Sequence, residues 1–160
     1  MATYQTTYTN APAKGLHGQI ASEEKCNKIS RTVENLLGVR FGQPVQRGTG
    51  DHGVVPLAAG GEFIGIAVLN PAVPPDVLVP DSYPQHFTAA FMTMGTMYVR
   101  AGGAVAQGDP VFYHTTNHRY VAAAGTDIVG PIPDAVFDTS GADGSMVEIA
   151  LRLRASAPAV

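Results

Sequence analysis

The sequence predicts an all-β protein: a jelly-roll or small β-barrel or sandwich body preceded by an extended N-terminal arm. Three observations predict it. Short stretches of strand texture recur along most of the chain, separated by Gly and Pro turns. The 160 residues include 18 Gly and 12 Pro but only 14% charged side chains, against about 25% in an ordinary soluble domain. No amphipathic helix of convincing length interrupts the pattern.

In chain order, the opening "MATYQTTYTNAPAKGLHGQI" is polar and small, with tyrosines at positions 4 and 8. It cannot build a core alone, and reads as an arm that orders against a neighbour. The stretch "NKISRTVEN", Asn27–Asn35, is ambiguous. Cys26, Ile29, Val33, Leu36 and Leu37 fall at helical spacing before Gly38, yet Ile29, Arg31 and Val33 also alternate with Ser30, Thr32 and Glu34. A helical turn or two around Ser22–Asn27 has room. The arm and its linking segment are therefore set at 1–38, and the β-rich body at 39–160.

Within the body, "VRFGQPVQRG" reads as a strand punctuated by Gly42 and Pro44, and "GGEFIGIAVLN" as a turn and a strand. "PAVPPDVLVPDSYPQ" is an irregular proline-rich loop. "FTAAFMTMGTMYVRA" resumes strand texture, and "VFYHTTNHRYV" reads as a hairpin turning near Thr116–His118. "DIVGPIPDAVFD" and "SMVEIALRLRA" supply the last strands. In the final one Val147, Ile149, Leu151 and Leu153 alternate with Glu148, Ala150, Arg152 and Arg154, as on a half-buried strand. A faint internal echo joins Gly42–Val45 (GQPV) to Gly108–Val111 (GDPV), each with proline where a strand begins.

The bulk properties exclude several classes. A net charge of −3 and scattered Lys and Arg give no electrostatic attraction for nucleic acid. A single cysteine rules out an internal disulfide framework and a cysteine-rich zinc site. The start has no signal-peptide pattern and no apolar run has the length of a membrane span, so a soluble chain made in a cytoplasm is expected.

The candidates for chemistry each have a plainer reading. His114 and His118 have a metal-binding spacing only on a helix, and here they flank a turn. Asp51 and His52 lie in "GTGDHGVVP", which suits an exposed turn. Cys26 reads as a small inert group, and Met92, Met94 and Met97 as packing. The glycine-rich stretches lack the ending of a phosphate loop. No catalytic, cofactor or metal residues are assigned, and no cofactor is expected.

The ordered set "ISRTVE", "FGQPVQRG", "GDPV" and "AVFDTSGADGSMVEIAL", spread over nearly the whole chain, resembles the structural cement proteins of tailed bacteriophages. The resemblance implies a non-enzymatic capsid decoration protein, located on the outside of the virion. Such proteins are β-rich, form small homo-oligomers (dimers or trimers), bridge major capsid protein subunits and reinforce the shell. It favours an extended reading of Asn27–Asn35. Tyr4, Tyr8, Ile29, Arg31, Val33 and Glu34 are then the candidate contacts with capsid or neighbouring subunit; the same stretch as a strand of the chain's own barrel is the other option. A competing reading is a carbohydrate- or host-surface-binding module of a virion, with Tyr83, Phe87, Tyr98, Phe112, Tyr113 and Tyr120 as its platform, weakened by the absence of Trp. A third is a small β-barrel enzyme using Asp51, His52 or Asp109.

Overall fold

The computed structural model describes residues 14–22, 24–74 and 78–152. Tyr4, Tyr8, Leu153 and Arg154 lie outside them. Among the described residues all regular elements are strands: β1 (Asn27–Val33), β2 (Val39–Arg40), β3 (Pro44–Arg47), β4 (Gly53–Pro56), β5 (Phe63–Ala67), β6 (Ser82–Tyr83), β7 (Thr88–Arg100), β8 (Phe112–His114), β9 (Arg119–Val121), β10 (Ile128–Val129), β11 (Ala135–Phe137) and β12 (Met146–Leu151). The predicted all-β class is the one found.

Of the forms the sequence allows, a small closed barrel is realised. β1, β4, β3, β5 and β7 are neighbours in that order, and β1 pairs again with β7. The parallel pair β1–β4, with Val33 opposite Val54, is flanked by antiparallel ones. Closure removes the open edges that would otherwise invite pairing with other chains. β12 and then β11 continue the sheet from the far half of β7, while β8, β9 and β10 form a small separate sheet.

β7 is shared between these two layers, and Gly95 is where it changes over. Thr88–Met94 pair with β1, and Gly95–Arg100 with β12. Ala89 and Phe91 point into the barrel with Val33, Val45, Val54 and Ala67. Beyond Gly95 the phase inverts, so Met97 and Val99 join the second core with Tyr113, Tyr120, Phe137 and Ile149. Gly95 has φ +142°, and a Cβ there would sit 3.0 Å from Met92 Sδ and 3.1 Å from Cys26 Sγ. Only glycine suits such a backbone and such a gap. Where β5 crosses β7, Ala67 opposite Phe91 serves the barrel and Ile66 opposite Met92 serves the second core. The pleat thus lets one strand pair feed two cores.

The structure decides between the two readings of the stretch around Asn27–Asn35, and the extended one is found. Among the described residues of Ser22–Asn27 there is no helical turn; the chain bends at Glu24–Lys25 and enters β1. Leu36 and Leu37 are not a buried helical face but lie in an exposed turn closed by Gly38 N–H on Asn35 O at 2.9 Å. β1, on the arm side of the expected boundary at residue 38, is a barrel strand, and the chain meets the body still earlier. Gly18 N–H donates to Tyr98 O at 2.9 Å, Ala21 N–H to Thr96 O at 2.9 Å, and Ile20 bridges to Met97. The tertiary partner, β7, decides what the local pattern of Asn27–Asn35 leaves open.

The echo of GQPV and GDPV is a repeated turn. Gly42 (φ +73°) and Gly108 (φ +90°) occupy the third position of turns closed by Gln43 N–H on Arg40 O and Asp109 N–H on Ala106 O. In each the fourth side chain reaches back: Gln43 Oε1 accepts Arg40 N–H and Asp109 Oδ2 accepts Ala106 N–H, both at 2.9 Å. A turn with positive φ at this position favours glycine, and the following proline needs no ladder partner.

Candidate docking face

The residues expected to make contacts divide by burial. Val33 is fully buried in the barrel core and Ile29 packs partly against it. The Glu34 carboxylate turns back onto the Gly48–Gly53 turn, accepting the Thr49 N–H at 2.7 Å, the Gly50 N–H at 2.8 Å and the Thr49 hydroxyl at 3.0 Å. Those donors, the two amides first, hold its carboxyl below the usual range. Arg31 Nη1 donates to Ser30 O at 2.9 Å, whereas its Nε is buried with no acceptor among the described residues.

The other chemical candidates occupy structural posts. Asp51 and His52 sit in an exposed turn. Asp109 caps the turn described above. His114 and His118 flank the β8–β9 turn, as read. Met92 and Met97 are core residues, and Cys26 lies against the same core. Among the described residues no three His, Cys, Asp or Glu side chains come close enough to hold a metal ion. Of the six rings proposed as a binding platform, Tyr83, Tyr113 and Tyr120 are buried in the core instead.

What the fold does assemble is a face that sequence reading missed. Arg40 follows the buried Val39 in β2, Arg100 ends β7 and Arg119 opens β9; with His17, His118 and Asp81 they line one groove over Phe41. Towards the Asn35–Gly38 turn the depression continues past Leu37 and Val79. In the other direction it continues past Leu16, Leu69 and Val73. Leu16 is 65% exposed and Leu37 63%, with Leu36 and Leu78 beside them more open still. A polar, cationic centre is therefore flanked by exposed leucines at both ends, a pattern found at protein contact sites.

The groove is held from beneath by hydrogen bonds that cross the chain. His17 Nδ1 accepts the Arg100 backbone N–H at 3.0 Å, and its ring lies over Tyr120. The Tyr120 hydroxyl donates to Gly42 O at 2.6 Å, and the Tyr113 hydroxyl meets His118 Nδ1 at 2.9 Å. Burial pushes both tyrosine hydroxyls well above the usual phenol range. It also pulls His17 down to about 4, helped by the positive charge of Arg100 and by His118. His118 is lowered by burial and then by Arg40 and His114. Both imidazoles are thus neutral at neutral pH beside guanidinium groups. Arg119 pairs with Asp143 at 3.1 Å, whereas Arg40 and Arg100 have no ion-pair partner among the described residues.

Comparison with known proteins places this architecture. The family described as structural cement protein (E217 gp24/Pam3 gp6) matches residues 4–152. A chain from "The capsid of Myoviridae Phage XM1" superposes with a TM-score of 0.69 at 15% identity, covering 95% of this chain and 99% of that one. At that identity the likeness concerns the fold. The head fiber gp8.5 N base of bacteriophage phi29 gives a TM-score of 0.48 at 11% identity, covering 79% of this chain and 94% of that one, a likeness too slight to carry an argument. No curated protein matches. With the family match spanning both cores and every strand described, the chain belongs to the phage structural cement proteins.

Proposed function

We propose that this chain is a non-enzymatic cement protein that binds the outside of a phage head, bridges neighbouring major capsid protein subunits and stabilises the shell. The carrying observation is the family match across residues 4–152. The architecture suits the task. A closed barrel gives a stiff core to the body, and many modest contacts repeated over a lattice sum to firm attachment. The chain acts as a small homo-oligomer, a dimer or trimer, the usual symmetric solution.

Contact with capsid or sister subunit is made by the N-terminal segment carrying Tyr4 and Tyr8 together with the exposed side of β1. Arg31, with Nη1 held on Ser30 O, brings a cation to this side. Ile29 adds half-exposed apolar surface. Val33 and Glu34 contribute from behind, by fixing β1 in the barrel and the Gly48–Gly53 turn beside it. The test is to add the purified chain to heads lacking it. Saturable binding at a fixed ratio to the major capsid subunit supports the proposal, and absence of binding overturns it.

A further inference from the structure

We infer that the groove between Arg40, Arg100 and the β8–β9 turn is a docking site for an extended acidic segment of a partner protein, with a carboxylate seated between the two guanidinium groups and apolar side chains against Leu16 and Leu37. The inference rests on the cement reading only for the partner's origin in the shell.

Three observations carry it. The chain is acidic overall, with a net charge of −3, yet three arginines and two histidines converge on this groove, with Asp81 the one acidic companion among the described residues of its lining. Arg40 and Arg100 have no ion-pair partner among the described residues. A guanidinium pair left open offers planar, charge-assisted hydrogen bonds to a carboxylate. Finally, the depression runs on past exposed leucines at both ends, which fits a peptide with apolar residues on either side of its acid rather than a small free anion.

The histidines tune the site. His17 is faced by Arg100 of β7, His118 of the β8–β9 turn and Tyr120 of β9; His118 is faced by Arg40 of β2, Tyr113 of β8 and His114. Asp81 lines the same groove. A docked carboxylate adds negative charge beside both rings and opposes the lowering that burial and the neighbouring guanidinium groups impose on them.

The test uses the full chain and a blocked hexapeptide alternating leucine with aspartate, its leucine–asparagine counterpart, and inorganic phosphate. The imidazole resonances of His17 and His118 are followed by NMR. The aspartate peptide is expected to shift both rings, and to bind about tenfold or more weakly to the double variant R40Q/R100Q, the scale of lost charge-assisted hydrogen bonds. Arg47→Gln, on an exposed pair with Glu62, is the control and should bind as the parent does. Equal binding of the asparagine peptide, equal binding of phosphate, or unchanged binding by R40Q/R100Q overturns the proposal. Stripped shells separate the two readings. If the parent binds shells and R40Q/R100Q binds equally well, the groove fails and the cement reading stands. If the peptide docks in the groove but the parent ignores shells, the cement reading fails alone.

Discussion

His17 Nδ1 accepts the backbone N–H of Arg100 at 3.0 Å, joining positions 83 residues apart. That bond fixes the Leu16–Gln19 turn against the end of β7, and with it one end of the docking face. The site is also sensitive to acid: burial first, then the charges of Arg100 and His118, disfavour the protonated ring, and a ring that accepts at Nδ1 cannot take a proton there and keep the bond.

The sign follows from linkage. His17 is held at about 4 in the folded chain against 6.5 when free. The unfolded state therefore binds more protons between those values, and stability is lost as pH falls through that window. His17→Asn retains an acceptor that does not titrate. Thermal melts from pH 7 to pH 4 should show a shallower fall for this variant, with His118 leaving a remainder. Parallel curves for the two proteins would contradict the assignment.

Glu34 gives a second, lower window. Its carboxyl is depressed by the Thr49 and Gly50 amides, so its contribution is complete above about 4.5, the usual carboxylate range, and fades below it. Glu34→Gln should loosen the Gly48–Gly53 turn rather than the barrel. Hydrogen exchange should quicken at Thr49 and Gly50 while amides of β7 keep their protection.

The division of β7 between two cores makes Gly95 and Phe91 unequal probes. Phe91→Ala empties a fully buried position of the barrel and should cost about 3–5 kcal/mol in denaturant unfolding. Gly95→Ala sets a Cβ against Met92 and Cys26 on a backbone with φ +142°. It should destabilise and also disturb the β1–β7 bulge, visible as shifted amide resonances at Asn27 and Lys28.

Removing residues 1–13 tests the arm. The body from Leu16 onward keeps its contacts to β7, so the melting temperature of the free chain should change little. Binding to stripped shells should weaken markedly. Full-affinity binding by the shortened chain would show that Tyr4 and Tyr8 are not contacts.

The sequence made the strands legible where burial follows a simple period. Val147, Ile149 and Leu151 alternate and are buried, as read, and Ala150 is buried as well. β4 was hidden because its residues, Gly53–Pro56, are too few to show a period and end in proline. β1 was undecided because its pairing with β7 and β4 depends on residues far along the chain. The docking face was invisible for the same reason: Arg40, Arg100 and Arg119 belong to three separate strands, and no local spacing joins them. Only the exposed Leu36 and Leu37 carried a signal, and helical spacing absorbed it.

The central claim, that this chain reinforces a phage shell, is met most directly by calorimetry of heads stripped of it, melted with and without the purified chain. The account expects the shell transition to move to higher temperature as the chain is added, and to stop moving once sites are filled at a fixed ratio to the major capsid subunit. A shell transition that stays in place while the chain remains free in solution would contradict it.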